Sequence, residues 1–414
     1  MNSTAQHTDT PDMQRLVVIG NGMAATRTIE ELLRIAPDAY QITVFGAEPH
    51  PSYNRVLLSA VLAGETQFAD IVINTLDWYE RNAIDLRVGV KVTEIDRARR
   101  AVIADDGSCV PYDRLLIATG SRPVLPPFTG VGLPGVLTYR DIHDTEQMIS
   151  AAGEARQAVV IGGGLLGLEA AHGLSQRGVE VTVVHLMPWI MERQLDEAAA
   201  ATLQASLEAR GIRFELNAKT SGIEGEDRVT GVALADGRVL PAQFVVVAAG
   251  VRPDIDLAKT ANLACERGIM VTDTMQTYDP RIYAVGECVQ HRGVAYGLVA
   301  PLYEMAKICA QHLGGFGAFD YRGSVTSTRL KVTGVDVFSA GATTGALGDE
   351  EVVLADAPGG IYRKLVIKGD QLTGAVMVGD ATDAAWYEHL ITSGTKLGQM
   401  RDRIVFGRDL ALAA

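Results

Sequence analysis

Cysteine is scarce in this sequence, and no two cysteines are close together. The 414 residues include four cysteines, Cys109, Cys265, Cys288 and Cys309, which form neither a CxxC pair nor a zinc-type cluster. The eight histidines show no metal-ligand spacing either, so we predict no metal site and no iron–sulfur cluster within the chain. Dispersed, unpaired cysteines are typical of a thiol-reducing compartment, and we predict a cytoplasmic location.

Positive charge and long apolar runs are also lacking. The formal net charge of −13 argues against a nucleic-acid partner, which requires a basic surface. No apolar run approaches the roughly 20 residues of a membrane span, so no membrane partner is expected. The opening residues 1–13 are polar, without the apolar core of a secretory signal, and we predict a disordered tail there. With 47% hydrophobic residues, the remainder is expected to fold into about 2–4 domains.

A glycine-rich turn near the start is the first sign of a ligand site. The sequence GNGMAA at 20–25 follows a short apolar strand and precedes a helical pattern and a second strand. In such a β-α-β unit, Gly20 permits the tight turn, and Gly22 lets a pyrophosphate approach the helix N-terminus. Glu48, after the second strand, is placed to accept hydrogen bonds from ribose hydroxyls. The pattern therefore predicts a dinucleotide site, against the alternative of a glycine-rich turn without a ligand.

The same arrangement recurs further along the chain. GGGLLG at 162–167 lies between an apolar strand and a helix, and a second strand ends at Val184. This is a complete GxGxxG motif in its β-α-β context. Two such units predict two bound dinucleotides, with one electron carrier facing the other.

The end of this second strand bears on the choice between NADH and NADPH. An acid there accepts from the 2′-hydroxyl of NADH, and an arginine pairs with the 2′-phosphate of NADPH. The chain has His185 instead, followed by Leu186 and Met187. A neutral histidine can bond a hydroxyl, and a protonated one tolerates a phosphate. Without an arginine fork we predict a modest preference for NADH, with NADPH use remaining possible.

Further glycine turns follow apolar strands after each unit. ATG at 118–120 and GVRP at 250–253 are each preceded by a strand and a DG hairpin signal. A later stretch, YAVGE, ends in Gly286 and Glu287, where backbone and carboxylate are expected to approach a ligand with sugar-like hydroxyls.

The order GxGxxA, ATG, GxGxxG, GVRP and YAVGE resembles the pyridine-nucleotide/FAD oxidoreductases related to glutathione reductase, over residues 14–312. The segments YNRVLLSAVLAGE, HLMPWIMERQLD and STRLKVTGVDVFSAG are similar to the flavoprotein part of bacterial NADH-dependent assimilatory nitrite and nitrate reductases. The implied fold class is α/β, with two Rossmann-like dinucleotide-binding domains, the NAD domain inserted in the FAD domain, and a small C-terminal α+β domain. The expected bounds are 14–122 and 252–314 for the FAD domain, 123–251 for the NAD(P)H domain and 320–414 for the C-terminal domain.

In the C-terminal domain, alternating patterns predict strands at 330–338, 361–368 and 372–378 and a helix at 383–393. We expect Trp386 and Tyr387, on this helix, to pack within the domain.

The resemblance also implies which residues contact the cofactors. For FAD these are Gly20, Gly22, Met23, Ala24, Glu48, Asn54, Arg55, Ala118, Thr119, Gly120, Arg140, Gly286 and Glu287. For NADH, the second glycine motif, the strand end and the GVRP turn predict Gly162, Gly164, Leu165, Leu166, Gly167, His185 and Gly250, and the resemblance adds Glu169. In resembling proteins a glutamate at the position of Glu169 lies near flavin and nicotinamide; the alternative is an ordinary helix residue. His172 is expected to form a helix-surface pair with Glu169. No protein nucleophile is needed for hydride transfer.

The segment 51–65, PSYNRVLLSAVLAGE, contains no cysteine, although disulfide reductases of the family have a cysteine pair close to this part of the chain. Flavin accepts a hydride and releases single electrons. We therefore predict an FAD-dependent NADH reductase whose acceptor is a one-electron iron–sulfur or rubredoxin-like protein or subunit, in nitrite or nitrate assimilation. Two other interpretations stay open: an NADH oxidase or disulfide reductase, and a dinucleotide-sensing binding protein.

Overall fold

The computed structural model describes residues 13–317, 319–332 and 334–413. The predicted disordered tail lies outside the described residues except for Met13. Contacts between backbone segments divide the chain into two compact units. Unit 1 contains the residues up to Tyr53, Val72–Ser121 and Pro253–Gly323, and unit 2 contains Asn54–Ile71, Arg122–Arg252 and the residues from Ser324 onward.

The strands, in chain order, are β1 (Gln14–Ile19), β2 (Tyr40–Gly46), β3 (Asp85–Val88), β4 (Val92–Asp96), β5 (Ala101–Ala104), β6 (Cys109–Pro111), β7 (Arg114–Ile117), β8 (Ser121–Pro123), β9 (Val136–Thr138), β10 (Gln157–Ile161), β11 (Glu180–Val184), β12 (Arg213–Glu215), β13 (Thr220–Glu224), β14 (Gly231–Leu234), β15 (Val239–Pro241), β16 (Phe244–Val247), β17 (Val251–Pro253), β18 (Ile269–Val271), β19 (Ile282–Ala284), β20 (Val289–His291), β21 (Ser327–Val332), β22 (Val335–Gly341), β23 (Glu350–Asp356), β24 (Ile361–Lys368) and β25 (Gln371–Gly379).

The α-helices are α1 (Met23–Ile35), α2 (Leu58–Ala63), α3 (Leu76–Arg81), α4 (Ile142–Glu154), α5 (Leu165–Gln176), α6 (Glu197–Glu208), α7 (Asp256–Thr260), α8 (Val299–Leu313), α9 (Ala384–Ser393) and α10 (Arg408–Leu412). Short 3₁₀ segments cover Arg55–Leu57, Phe68–Ile71 and Gly398–Phe406.

Unit 1 is built on a five-stranded parallel sheet in the order β19-β7-β1-β2-β3. Its central strands are nearly continuous apolar runs, as expected for strands buried on both faces. Helices α1 and α8 pack against each other. The DG signal at Asp106-Gly107 forms the turn between β5 and β6 of an antiparallel three-stranded sheet, with Gly107 at φ +83°.

Unit 2 contains a second five-stranded parallel sheet, in the order β12-β11-β10-β16-β9. Here too the DG signal, Asp236-Gly237, lies between two antiparallel strands, β14 and β15. Segment 54–71 belongs to this unit because α2 packs against α4 and α5. The Arg177 side chain, just after α5, donates hydrogen bonds to the carbonyl oxygens of Val61 and Leu62 at the end of α2.

The C-terminal part of unit 2 is a five-stranded antiparallel sheet, in the order β21-β22-β25-β24-β23, with α9 packed on β25 and β22. The strands predicted at 361–368 and 372–378 and the helix predicted at 383–393 are confirmed. The single strand predicted at 330–338 is wrong: the run is divided between β21 and β22, because the backbone turns at Gly334, whose φ is +76°. Tyr387 is fully buried in this core, and Trp386 is partly buried against it.

A buried ion pair joins this antiparallel sheet to the first turn of α6. Asp196 caps α6 by accepting from the Ala199 amide at 2.9 Å. The same carboxylate accepts from the Tyr362 hydroxyl at 2.9 Å and pairs with the Lys364 ammonium at 3.0 Å. Lys364 also contacts Glu351 at 3.0 Å, so this buried cation has two acidic partners. These contacts fix the position of Asp196 and of the chain just before α6.

Candidate dinucleotide sites

The first glycine loop of unit 1 connects β1 to α1. Gly20 has φ +104°, and a Cβ atom there would lie 2.2 Å from the carbonyl oxygen of Ala118, so no other residue fits. Gly22 differs, because its φ is −83° and a Cβ atom would meet nothing within 4 Å. The loop therefore leaves open space beside the backbone at Gly22, where a pyrophosphate is expected to approach.

The N-terminus of α1 faces this loop. Gly22 is the N-cap, Met23 and Ala24 begin the helix, and neither a side-chain cap nor an acidic residue occupies the first turn. Asn21 accepts from the Tyr79 hydroxyl at 2.8 Å through Oδ1, while its buried Nδ2 has no hydrogen-bond partner in the structure. An anionic ligand could accept hydrogen bonds from Asn21 Nδ2 and from the uncapped backbone amides at the N-terminus of α1. The loop therefore fits a dinucleotide pyrophosphate. The sequence interpretation missed both residues, because Asn21 is a variable position of the motif and Tyr79 lies 58 residues further along the chain.

The ends of β7 and β19 lie beside the first loop, since the order β19-β7-β1 makes these strands neighbours. After β7 come Ala118, Thr119 and Gly120; the Thr119 hydroxyl donates to the Asp254 carbonyl oxygen at 2.6 Å. After β19 come Gly286, with φ +92°, and Glu287, which accepts from the Ser121 hydroxyl at 2.7 Å. The structure thus gathers three of the predicted segments at the carboxyl edge of one parallel sheet, where ligands bind in such folds.

Glu48 follows β2, the strand on the other side of β1. Its side chain is partly exposed and accepts a hydrogen bond of 2.6 Å from the Tyr53 hydroxyl through Oε2. The carboxylate is therefore oriented by Tyr53, a residue that the sequence interpretation did not single out.

Asn54, Arg55 and Arg140, also predicted to lie on the FAD side, belong to unit 2. Asn54 caps the 3₁₀ segment that follows it by accepting from the Val56 amide at 3.1 Å. Arg55 donates to the carbonyl oxygen of Arg140 at 3.1 Å, so the structure brings these two predicted residues together.

The glycine loop of unit 2 repeats the geometry of the first. Gly162 has φ +123°, and its Cβ would lie 2.2 Å from the carbonyl oxygen of Ala248. A Cβ at Gly167 would lie 1.8 Å from the Gly162 carbonyl oxygen, so the third glycine allows helix and strand to pack closely. Gly164 caps α5 without a side-chain hydrogen bond and, like Gly22, has open space around its missing Cβ. This loop also fits a pyrophosphate.

Other predicted residues of unit 2 lie around this loop. Leu165 and Leu166 form the first turn of α5. Gly250, which follows β16, has φ +104°, and a Cβ atom there would meet nothing within 4 Å. Its carbonyl oxygen accepts from the Val124 amide at 2.9 Å.

His185 lies against the glycine loop at the end of β11. Its Nδ1 accepts from the Gly163 amide at 3.0 Å, and its Nε2 is 3.1 Å from the Glu192 carboxylate. Glu192 was not identified from the sequence, because it follows His185 by seven positions and lies outside the motif. An acidic side chain, absent from the strand end itself, therefore contacts His185 from the loop that follows β11.

Glu169, on α5, is only partly exposed, and its withdrawal from water raises the pKa of its carboxyl to about 8. Tyr139 is buried with a hydroxyl that has no hydrogen-bond partner in the structure, and burial, with a smaller effect of Glu169, raises its pKa well above the usual range. The predicted surface pair of Glu169 with His172 is wrong. His172 is largely buried and its Nε2 faces Glu65 at 3.9 Å, because α2 covers this side of α5.

The raised pKa of Glu169 makes stability depend on pH. The folded protein keeps this proton up to about pH 8, whereas the unfolded chain loses it near pH 4.5, so stability should fall as pH rises between these values. We expect Glu169→Gln to raise the Tm at pH 8.5 by about 2–4 °C and at pH 5.5, which is closer to the pKa of the unfolded chain, by about a third as much. Thermal unfolding at both values measures this. Glu146→Gln, at an exposed position, is the control, and equal shifts at both pH values would contradict the prediction.

Among residues 13–413, apart from the two undescribed positions, no group of His, Cys, Asp and Glu side chains is arranged to hold a metal ion. In the same part of the chain, no helix combines the length and hydropathy needed to cross a membrane.

Comparison with known families identifies the class of protein. Residues 14–306 match the family model described as "Pyridine nucleotide-disulphide oxidoreductase", and residues 327–395 match the "Rubredoxin NAD+ reductase C-terminal domain". The chain belongs to the pyridine nucleotide-disulphide oxidoreductase family.

The chain is similar over most of its length to several individual members of this family. The chain is 50% identical over 370 residues to the "Nitrite reductase [NAD(P)H]" of Bacillus subtilis (strain 168), covering 89% of the chain and 46% of the relative. It is 44% identical over 370 residues to the "Assimilatory nitrate reductase electron transfer subunit" of the same organism, covering 89% and 48%. The chain thus spans about half the length of these curated relatives. A solved ferredoxin reductase for the CYP199A2 system from Rhodopseudomonas palustris is 27% identical, with a TM-score of 0.85, covering 93% of this chain and 96% of that one.

These comparisons confirm the predicted family resemblance and the α/β fold class with its C-terminal domain. The family uses FAD and NAD(P)H, which confirms the predicted cofactors and the NAD(P)H-dependent FAD oxidoreductase class at the level of the family. The roles of the individual site residues stay predictions.

Proposed function

We propose that this chain is the flavoprotein part of an NADH reductase, with FAD on the Gly20 loop and the nicotinamide dinucleotide on the Gly162 loop. The observation that carries the proposal is the combination of two dinucleotide loops with a flavin-side segment, 51–65, that contains no cysteine. FAD supplies the chemistry, since it takes up a hydride and releases electrons singly. The chain's own residues hold and orient the two dinucleotides.

The assignment of the loops rests on what surrounds each of them. Near Gly20, the Thr119-Gly120 and Gly286-Glu287 turns supply backbone and carboxylate groups for a long, hydroxyl-rich cofactor such as FAD. Near Gly162, the helix α5 also carries Glu169, whose raised pKa keeps its carboxyl largely protonated at neutral pH. A protonated carboxyl can donate as well as accept a hydrogen bond, so it can face a nicotinamide ring without placing a full negative charge beside it.

We further propose that no protein thiol takes part in electron transfer. Cys288 and Cys309 are fully buried, and burial raises the pKa of Cys288 to about 11 and that of Cys309 higher still. Both therefore remain thiols at neutral pH, the form that is poorly nucleophilic. Cys109 and Cys265 are also free in the structure. The four unpaired cysteines also support the proposed cytoplasmic location.

The proposed acceptor is an iron–sulfur or rubredoxin-like protein or subunit that takes one electron at a time. The match of residues 327–395 to a rubredoxin reductase domain and the similarity to a ferredoxin reductase support it. The similarity to a nitrite reductase and to the electron transfer subunit of an assimilatory nitrate reductase supports a role in nitrite or nitrate assimilation.

The experiment uses the purified yellow protein and a variant with all four cysteines replaced, Cys109→Ser, Cys265→Ser, Cys288→Ala and Cys309→Ala. We expect anaerobic NADH to bleach both proteins, and NADH:ferricyanide activity of the variant to stay within about twofold of wild type. Circular dichroism and FAD content show whether the variant has kept its fold.

The outcomes separate the proposal from its alternatives. Loss of bleaching or of ferricyanide reduction in a folded, FAD-loaded variant would show that a thiol is required and would contradict the proposal. Rapid oxygen consumption with stoichiometric peroxide or water would favour an NADH oxidase. Slow turnover with ferricyanide, rubredoxin and ferredoxin alike would favour a dinucleotide-sensing protein.

A further inference from the structure

We propose that the Glu192 carboxylate, oriented by His185, meets the adenosine-ribose 2′ position of the nicotinamide dinucleotide and selects NADH against NADPH. The inference rests on the proposed binding of that dinucleotide by the Gly162 loop, and it names the residue that distinguishes the two forms.

His185 marks the place where the 2′ position is expected. A Cβ atom at Gly163 would lie 2.8 Å from Cγ of His185, so the imidazole is packed on the middle glycine of the loop. In a β-α-β dinucleotide site, the side chain at the end of the second strand faces the adenosine ribose. His185 follows β11, the second strand of this unit.

The His185 ring itself has no nitrogen left for a ligand. The Gly163 amide donates to Nδ1 at 3.0 Å, which assigns the ring hydrogen to Nε2, and Nε2 donates to Glu192 at 3.1 Å. The two contacts use one acceptor and one donor, the full capacity of a neutral imidazole. His185 is therefore a positioning residue, and the group that it presents is the carboxylate of Glu192.

Glu192 retains the capacity to bind a hydroxyl. One of its oxygens accepts from His185, while the other has, within the described part of the chain, only a 4.0 Å contact with the Arg193 guanidinium. The side chain is 25% exposed, so a ligand lying on the loop can reach it. A ribose 2′-hydroxyl can donate to this carboxylate, whereas the 2′-phosphate of NADPH would place a second anion against it.

The backbone on both sides of Glu192 is fixed. Met191 is fully buried at φ +52°, an uncommon conformation for a non-glycine residue, and its amide donates to the Gly163 carbonyl oxygen at 2.9 Å. Four residues beyond Glu192, Asp196 is held by the Lys364 ion pair and by its capping bond to α6. The carboxylate is thus presented by a segment tied to the glycine loop at one end and to a helix at the other.

Arg193 is the competing group, because a cation here would favour the 2′-phosphate. Its side chain is 86% exposed, and among the residues that the structure describes its one ion pair is the 4.0 Å contact with Glu192. It therefore lacks the support that a bidentate phosphate site requires.

The test measures binding, without electron transfer. ADP-ribose and 2′-phospho-ADP-ribose are titrated into the FAD-loaded protein by isothermal calorimetry. We expect wild type to bind ADP-ribose at least about tenfold more tightly, and Glu192→Gln to reduce this ratio to about threefold or less by improving binding of the phosphorylated ligand. Glu197→Gln makes the same charge change at an exposed position of α6 and should leave the ratio as in wild type.

Variants of His185 test its positioning role. His185→Ala should reduce the binding ratio as Glu192→Gln does, and should raise the KM for NADH without changing kcat. His185→Gln, whose amide can donate to Glu192, should recover part of the ratio. A merely structural role would lower the stability of both variants without this recovery.

Two results would overturn the inference. One is a binding ratio that stays the same in Glu192→Gln, and the other is a wild-type protein that binds 2′-phospho-ADP-ribose more tightly. If neither ligand binds wild type, the proposed function of the Gly162 loop fails, and this inference fails with it.

Discussion

Replacing Gly22 with valine should give a folded but colourless protein. The structure leaves open space around Gly22, whose φ of −83° suits valine, so the substitution should cause no clash within the chain. The added side chain would instead occupy the space through which a pyrophosphate approaches the first turn of α1. We expect the FAD-to-protein ratio, measured from the absorption spectrum after purification, to fall below about one tenth of wild type.

The control for this experiment is Gly132→Val, at an exposed glycine that also has nothing within 4 Å of its Cβ position. It should purify with the wild-type amount of FAD. Circular dichroism establishes that the Gly22 variant is folded. Normal FAD content in that variant would show that the Gly20 loop is not the FAD site.

Gly20 and Gly22 carry equal weight in the sequence motif, yet the structure distinguishes them. At Gly20 a side chain would collide with the Ala118 carbonyl oxygen, so a substitution there disrupts the protein whether or not a ligand binds. At Gly22 a side chain would meet no atom of the described residues within 4 Å, so we expect a substitution there to affect only ligand binding. Motif positions can therefore be predicted from the sequence, but the division between structural and ligand-facing glycines depends on tertiary contacts.

The parallel strands and both glycine loops could be predicted because each is encoded by residues that are close together in the sequence. Continuous apolar runs indicate buried strands, and the spacing of glycines indicates the turn into a helix. The break at Gly334 was missed although the alternation changes phase there: the apolar positions are Leu330 and Val332 before the glycine and Val335 and Val337 after it. This change of phase and the φ of +76° at Gly334 both mark the turn.

Contacts between distant positions explain the other differences. Glu192 reaches His185 only because Met191 folds back onto Gly163, a contact that no spacing rule describes. His172 faces Glu65 and does not form the expected pair with Glu169, because α2, which Glu65 follows, packs against α5 at His172. Both depend on loops and helices brought together by the fold, so neither could be derived from periodicity.

Replacing Gly164 with valine, unlike Gly22→Val, should leave the protein yellow but impair its reduction by NADH. Gly164 has nearly the same conformation as Gly22, with φ −84° and open space at its Cβ position, but it caps α5 in unit 2. We expect the variant to remain yellow with a wild-type FAD content, while kcat/KM for NADH with ferricyanide falls at least about 100-fold. The reason is that the valine would exclude the pyrophosphate of the nicotinamide dinucleotide from the N-terminus of α5.

The two variants test the two loops separately because each substitution leaves the other loop unchanged. Chemical reduction of the Gly164 variant by dithionite should still bleach the flavin, which shows that its flavin remains reducible and that only the donor site is lost. ADP-ribose should no longer bind to this variant in calorimetry. A Gly164 variant that loses FAD, or one that NADH bleaches at the wild-type rate, would contradict the assignment of the Gly162 loop to the nicotinamide dinucleotide.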